Sequence, residues 1–103
     1  MMGEPESQSR DEIALSRGDE QLIARYIALD PQRPWPEEAR LVQSGVSVWA
    51  IIGYLPAVGG DLKQVALAYD IPIEAVIAAL AYYEKHKPAI DARLAENAAI
   101  FAG

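Results

Sequence analysis

The side chains that most often carry chemistry are sparse in this sequence. The one histidine, His86, lies between Lys85 and Lys87 and has no partner at the spacing of a metal site. The chain has no cysteine, which excludes disulfides, thiolate ligands and thiol catalysis. We therefore expect no metal and no cofactor, and we interpret His86 as a solvated residue near a helix end.

Covalent and acid–base catalysis have no better support. A catalytic serine needs a nearby base, and the serines of this chain stand in no such motif. Carboxylates are adjacent at Asp11-Glu12, Asp19-Glu20 and Glu37-Glu38, but consecutive side chains on a helix do not face each other. Gly59-Gly60 is followed by Asp61 and not by a lysine, so it is no phosphate-binding loop. We expect the protein not to be an enzyme.

Three basic residues could contact a DNA backbone. Arg33 and Arg40 flank a proline-rich segment, and Lys63 opens a later helix. The whole chain, however, carries a net charge of −6 from 9 basic and 15 acidic residues, whereas nucleic-acid-binding proteins present a basic footprint. The alternative is that these are isolated solvated cations. The same acidity disfavours attraction to an anionic membrane surface.

Residues 61–84 have the spacing of a helix-turn-helix. Asp61 is a favourable N-cap, and Gln64 completes the pattern of a capping box. Asp70 interrupts the first helix, and Pro72 is suited to the first turn of the next one. Two helices joined by a turn of three or four residues are typical of this motif.

The second helix of this pair lacks the side chains that read DNA. Its outward positions are predicted to be Pro72, Ile73, Glu74, Ile77 and Ala78. Base edges are read by Arg, Lys, Asn and Gln, and Glu74 would meet phosphates with the wrong charge. A helix that is apolar nearly all round is a buried one. We therefore favour burial in a core or an oligomer, and we predict a dimer contact at Ile73, Ile77 and Tyr82.

The rest of the chain is predicted to be mainly α. Residues 1–8 are interpreted as a flexible N-terminus, and residues 9–103 as a single helical domain. Residues 25–30 fit either a helix or one short strand, and residues 37–42 fit either a helical turn or a short strand. Trp35, between two prolines, is predicted to lie flat over the domain.

Two further helices are predicted from caps and periodicity. Ser47 can cap a helix that Gly59-Gly60 ends. Residues 88–102 are predicted to form an amphipathic C-terminal helix, either a new helix or a kinked continuation of the preceding one, whose apolar positions recur at i, i+4, i+8 and i+11. Those positions, predicted to bind a partner protein, are Ile90, Leu94, Ala98 and Phe101. The alternative is that this helix folds back onto its own domain.

Five short motifs occur in an order that is distinctive as a set. They are Val48-Trp49-Ala50-Ile51, Gly59-Gly60, the helix from Asp61 to Tyr69, Ala79-Leu80-Ala81-Tyr82-Tyr83, and Ile90-Asp91. Together they resemble the bacterial family called domain of unknown function 433 over about half of the chain. Two family features are not matched: a strand and turn with Gly-Lys-Pro and Gly-Thr-Arg, replaced at 40–45, and a Ser or Thr cap, replaced by Pro72.

The resemblance implies a homeodomain-like helical fold and a role as the antitoxin of a two-gene toxin–antitoxin pair. The implied partner is a PIN-domain-like ribonuclease, and such antitoxins typically also bind their own promoter. A DNA-binding regulator and a purely structural homodimer are the alternatives. With no visible secretory signal and no apolar stretch long enough to span a bilayer, a cytoplasmic location is expected.

Overall fold

The computed structural model describes the backbone of residues 18–102 and the side chains of residues 18–98. Residues 18–26 are helical (α1). The elements that follow are β1 (Ile27–Ala28), a 3-10 turn (Pro36–Glu38), β2 (Arg40–Leu41), α2 (Val48–Tyr54), a second 3-10 turn (Leu55–Val58), α3 (Leu62–Tyr69), α4 (Ile73–Lys85) and α5 (Lys87–Ala102). The predicted mainly α fold is confirmed, and it contains two short paired strands where the prediction allowed for one short N-terminal strand. The interpretation of residues 1–8 lies outside the described residues.

Both segments that the sequence left ambiguous contain a helical turn followed by a strand. The helix α1 runs to residue 26, and β1 then pairs with β2 in antiparallel register, Ile27 opposite Leu41 and Ala28 opposite Arg40. Ile27 and Leu41 are buried while Ala28 and Arg40 face outward. Because successive side chains of a strand alternate between faces, this burial pattern specifies the register.

A tight turn after β2 returns the chain to the core. The Leu41 amide donates to the Val46 carbonyl at 2.8 Å, and the Gly45 amide donates to the Leu41 carbonyl at 3.0 Å. Gly45 has φ +74°, a conformation that glycine adopts without steric cost. Arg40 forms a further antiparallel bridge with Ser47, so a hairpin precedes α2 although the family motif is not matched there.

The predicted boundaries of the next helix are confirmed. Ser47 is the N-cap of α2, although its side chain accepts no capping hydrogen bond. Pro56 lies in the 3-10 turn that continues α2, and Gly59 ends that turn in the left-handed conformation. The amides of Gly59 and Gly60 donate hydrogen bonds to the last carbonyls of that turn. This hydrogen bonding is the usual reason for glycine at the end of a helix.

The α3–α4 pair has helix-turn-helix geometry. The chain bends by 112° between the two helices, which are separated by Asp70, Ile71 and Pro72. Asp61 caps α3 as predicted, since its Oδ1 accepts from the Lys63 amide at 3.0 Å. Pro72 is the N-cap of α4, one residue before the first-turn position predicted for it.

The core is formed where α2, α3 and α4 cross. Val65 of α3 and Val76 of α4 are fully buried, together with the small residues Ala75, Ala78 and Ala79. The outward position predicted for Ala78 is therefore wrong, because neighbouring elements cover most of the α4 circumference. Small side chains along a helix let neighbouring helices approach closely, which compensates for the modest length of α3.

The helix α5 is a new helix that folds back on the domain. His86 interrupts the backbone with φ −130° and ψ 34°, and α5 begins one residue before its predicted start. Ile90 is fully buried, and Arg93 lies with its Nε 3.4 Å from Glu38 Oε2 and its guanidinium 4.5 Å from the Trp49 ring centre. The first two turns of α5 are thereby held against α2 and the 3-10 turn at 36–38.

No single helix in the described part of the chain has the length and apolar character needed to cross a membrane. The α3–α4 pair reaches that length and composition only jointly and is bent by 112°.

The two N-caps give a matched test of local stabilisation. Asp61→Ala removes a capping hydrogen bond and is expected to lower the free energy of unfolding by about 1 kcal/mol. The Ser47 side chain makes no capping hydrogen bond, so Ser47→Ala should lower the free energy of unfolding by about 0.5 kcal/mol or less. Urea unfolding followed by circular dichroism measures both, and equal losses would contradict the assigned caps.

Candidate functional site

The predicted partner-binding positions on α5 do not form one exposed face. Ile90 has no exposed surface and belongs to the core, so its assignment to a partner contact is wrong for this chain on its own. Leu94 is half-buried and lies close to Gly53, where an added Cβ would be 2.9 Å from Leu94 Cδ2. Ala98 is exposed, and the Phe101 side chain lies outside the described residues.

Of the three residues predicted to form a dimer contact, one is buried within the chain and two are accessible. Tyr82 is only 6% exposed, its hydroxyl donates to the Pro36 carbonyl at 2.8 Å, and its ring lies 4.4 Å from that of His86. Its assignment to a dimer contact is therefore wrong, because both its ring and its hydroxyl are used within the chain. Ile73 is half-buried and Ile77 is 37% exposed, so both remain accessible from outside.

The three candidate DNA-contacting cations lie on separate elements. Arg33 is in the loop before the 3-10 turn and pairs with Glu38 at 3.9 Å. Arg40 is exposed on β2 and Lys63 is exposed in the first turn of α3. Within residues 18–98, neither Arg40 nor Lys63 forms an ion pair. Among the described residues, therefore, only one of the three cations is held by a carboxylate.

The outer side of the helix pair carries exposed apolar residues. Leu67 on α3 is 75% exposed, the largest value among the exposed large hydrophobic residues of the described chain. On α4, Glu74 and Ile77 are exposed and Ile73 is half-buried. We call these four residues the outer face of the helix pair. Leu67 was missed by sequence reasoning, although it lies two residues from Val65 and so on the opposite side of α3.

A second group of exposed apolar side chains lies around the hairpin. Leu29 and Val42 are about half exposed, and Trp35 is 54% exposed. Trp35 lies at the surface and is not part of the buried core, so the flat orientation of its ring stays a prediction. The carbonyl of the neighbouring Pro36 accepts a hydrogen bond from the Tyr82 hydroxyl.

A cleft of ≈ 330 Å³ between α2, α3 and α5 is lined by aromatic rings. Tyr54 and Tyr69 meet edge to face at 5.8 Å, and the Tyr69 hydroxyl donates to the Ala50 carbonyl at 3.4 Å. Burial and then the neighbouring Tyr54 raise the Tyr69 pKa above its usual value. The described residues hold no cluster of three or more metal-ligating side chains. Apart from Asn97, the described residues that line this cleft are aromatic, aliphatic or glycine, so the cleft offers packing surface.

Tyr82 provides a pH-dependent test of the core assignment. Burial and then Glu37 raise its pKa above 10.0, so its contribution to stability is present below pH 10 and lost as the pH rises through the higher folded-state value. Tyr82→Phe should cost about 1 kcal/mol at neutral pH through the lost hydrogen bond, and the difference from wild type should shrink in alkali. Urea unfolding across this range measures the difference. Tyr26→Phe is the control, and a gap for Tyr82→Phe that stays constant with pH would contradict the assignment.

Comparisons with known proteins found no relative of this chain. No family model matches this chain, and neither a curated protein nor a solved structure is similar to it.

Proposed function

We propose that this chain is a non-enzymatic binding protein of the antitoxin type that masks a partner protein through the outer face of its helix pair. The observation that carries the proposal is the chemistry of that face. Leu67 is 75% and Ile77 37% exposed, and Glu74, three residues before Ile77 on α4, is exposed as well. Exposed apolar side chains that together form a patch are typical of a protein contact.

The residues at the start of the second helix decide whether a helix-turn-helix can read DNA. In DNA-binding members of this architecture, the N-terminal part of the second helix enters the major groove. The corresponding residues here are Ile73, Glu74 and Ile77. None of them can donate the paired hydrogen bonds that distinguish bases, and the carboxylate would be repelled by phosphates. The same surface suits a partner that buries apolar groups and offers a donor to Glu74.

The size of the contact is modest. Burying Leu67, which is 75% exposed, would contribute about 2 kcal/mol, and burying Ile77, which is 37% exposed, about 1 kcal/mol, before the cost of association is subtracted. A stable complex therefore needs further contacts around this face. The partner that the family resemblance implies is a PIN-domain-like ribonuclease, which the chain would meet in the cytoplasm. A second copy of this chain is the alternative occupant and would make it a structural homodimer.

Co-expression with the product of the neighbouring gene tests this proposal. Size-exclusion chromatography with light scattering should show both proteins in one peak at a fixed stoichiometry. Separate elution of the two proteins would contradict the antitoxin role. A homo-oligomer without the second protein would instead support the structural alternative.

DNA binding is a second candidate because of the 112° helix pair and because Arg40 and Lys63 form no ion pair within residues 18–98. Two phosphate contacts predict a log–log salt slope of only about −2. We expect weak binding that Arg40→Gln or Lys63→Gln removes, measured by fluorescence anisotropy between about 50 and 200 mM salt. A log–log salt slope of −6 or steeper corresponds to about seven phosphate contacts and would favour a DNA-binding regulator.

A further inference from the structure

A pocket of ≈ 230 Å³ lies between the hairpin turn and the turn of the helix pair. Its walls include the apolar side chains of Tyr26, Val42, Ile71 and Pro72. Its volume is below the range of roughly 300–1,000 Å³ that is usual for pockets holding a drug-sized ligand. A pocket of this size suits one long side chain better than a cofactor.

Asp70 supplies the charge of this pocket. Among the described residues, it is the only charged side chain that lines it, and it forms no hydrogen bond or ion pair through its carboxylate. Its backbone is held at φ +56°, where its amide donates to the carbonyls of Ala66 and Leu67. Few residues other than Gly, Asn and Asp adopt this conformation readily, so the position of the carboxylate is tied to the end of α3.

The hairpin side of the pocket is mixed in character. Val42 is 55% exposed there, and the polar residues Gln43 and Ser44 also line that side. Arg25 lines the adjoining depression, where its guanidinium lies 5.5 Å from the Tyr26 ring centre. An anionic ligand would be repelled by Asp70, and a wholly apolar one would remove water from its carboxylate without replacing the lost hydrogen bonds.

We propose that this pocket takes a lysine or arginine side chain from a partner protein. The aliphatic stem of such a side chain would pack on Val42, Ile71 and Pro72, and its cationic end would reach Asp70. Lys and Arg combine these two properties because their stems bury readily while their heads stay polar. The inference names the partner chemistry for the protein-binding role proposed above, and it rests on that role.

Capped tripeptides test the pocket without knowledge of the natural partner. The probes are acetyl-Ala-Arg-Ala-amide and acetyl-Ala-Lys-Ala-amide, with the norleucine and glutamate peptides as controls, titrated to about 20 mM into the ¹⁵N-labelled chain. The cationic peptides should shift the amide resonances of Gln43, Asp70, Ile71 and Ala75. The control peptides should leave them in place.

Two variants separate pocket recognition from general charge attraction. Asp70→Asn keeps a residue that tolerates positive φ and removes the carboxylate, and it should weaken binding about fivefold or more. Glu96→Gln removes the same charge from an exposed position on α5 and should leave binding unchanged. Absence of shifts with the cationic peptides, equal shifts with norleucine, or equal weakening in both variants would overturn the inference. Because no antitoxin partner takes part, these results are independent of co-elution with the neighbouring gene product.

Discussion

Replacing Ile90 by alanine is expected to lower the free energy of unfolding by about 3 kcal/mol. The side chain has no exposed surface and joins α5 to the core formed by α2 and α4. The substitution removes three buried carbon atoms, and the fixed positions of the surrounding helices limit how far the resulting cavity can close. Urea unfolding at neutral pH, followed by far-ultraviolet circular dichroism, gives the value directly.

The matched control is the same substitution at an exposed isoleucine. Ile77→Ala removes the same atoms from a side chain that is 37% exposed, and it should cost about 1 kcal/mol or less. If the two variants lose equal stability, α5 does not dock as described. Because Ile90 belongs to the core, loss of partner binding in an Ile90 variant would result from unfolding and would not show that Ile90 contacts the partner.

Placing aspartate at both Leu67 and Ile77 is expected to weaken the partner complex by at least about 100-fold. Leu67→Asp removes about 2 kcal/mol and Ile77→Asp about 1 kcal/mol of apolar burial, and each forces a charge to be desolvated in the interface. Leu67 is 75% and Ile77 37% exposed in the free chain, so the variant should stay helical and lose about 1 kcal/mol of stability, mainly at Ile77. Isothermal titration calorimetry against the product of the neighbouring gene measures the loss.

Two aspartates elsewhere control for the added charge. Ala92→Asp with Ala95→Asp adds the same two charges to exposed positions of α5. This variant should bind like wild type if the outer face of the helix pair is the contact. If instead it loses binding while the Leu67 and Ile77 variant keeps it, the contact lies on α5, where Ala98 is exposed.

Local signals in the sequence predicted the elements well. Asp61 before an apolar periodic run indicated the start of α3, and Gly59-Gly60 indicated the end of the preceding turn, because both act through hydrogen bonds to residues a few positions away. The helix-turn-helix followed from the break at Asp70 to Pro72. Each of these features depends on contacts within one or two turns, which a sequence pattern records directly.

The functional surfaces were harder to predict because they depend on distant partners. A 3.6-residue period showed that α5 has an apolar face, but Ile90 would have the same spacing in a core or in an interface. Tyr82 was misassigned because its hydrogen-bond acceptor, Pro36, lies 46 residues away. The pocket at Asp70 arises only where the hairpin turn meets the helix pair, and no single segment contains it.

Light scattering on co-expressed proteins tests the central claim most directly. Wild-type chain and the product of the neighbouring gene should elute as one complex, whereas the chain carrying Leu67→Asp and Ile77→Asp should elute alone and folded. That pair of results would assign protein binding to the outer face of the helix pair. An intact complex with the double variant would contradict this assignment.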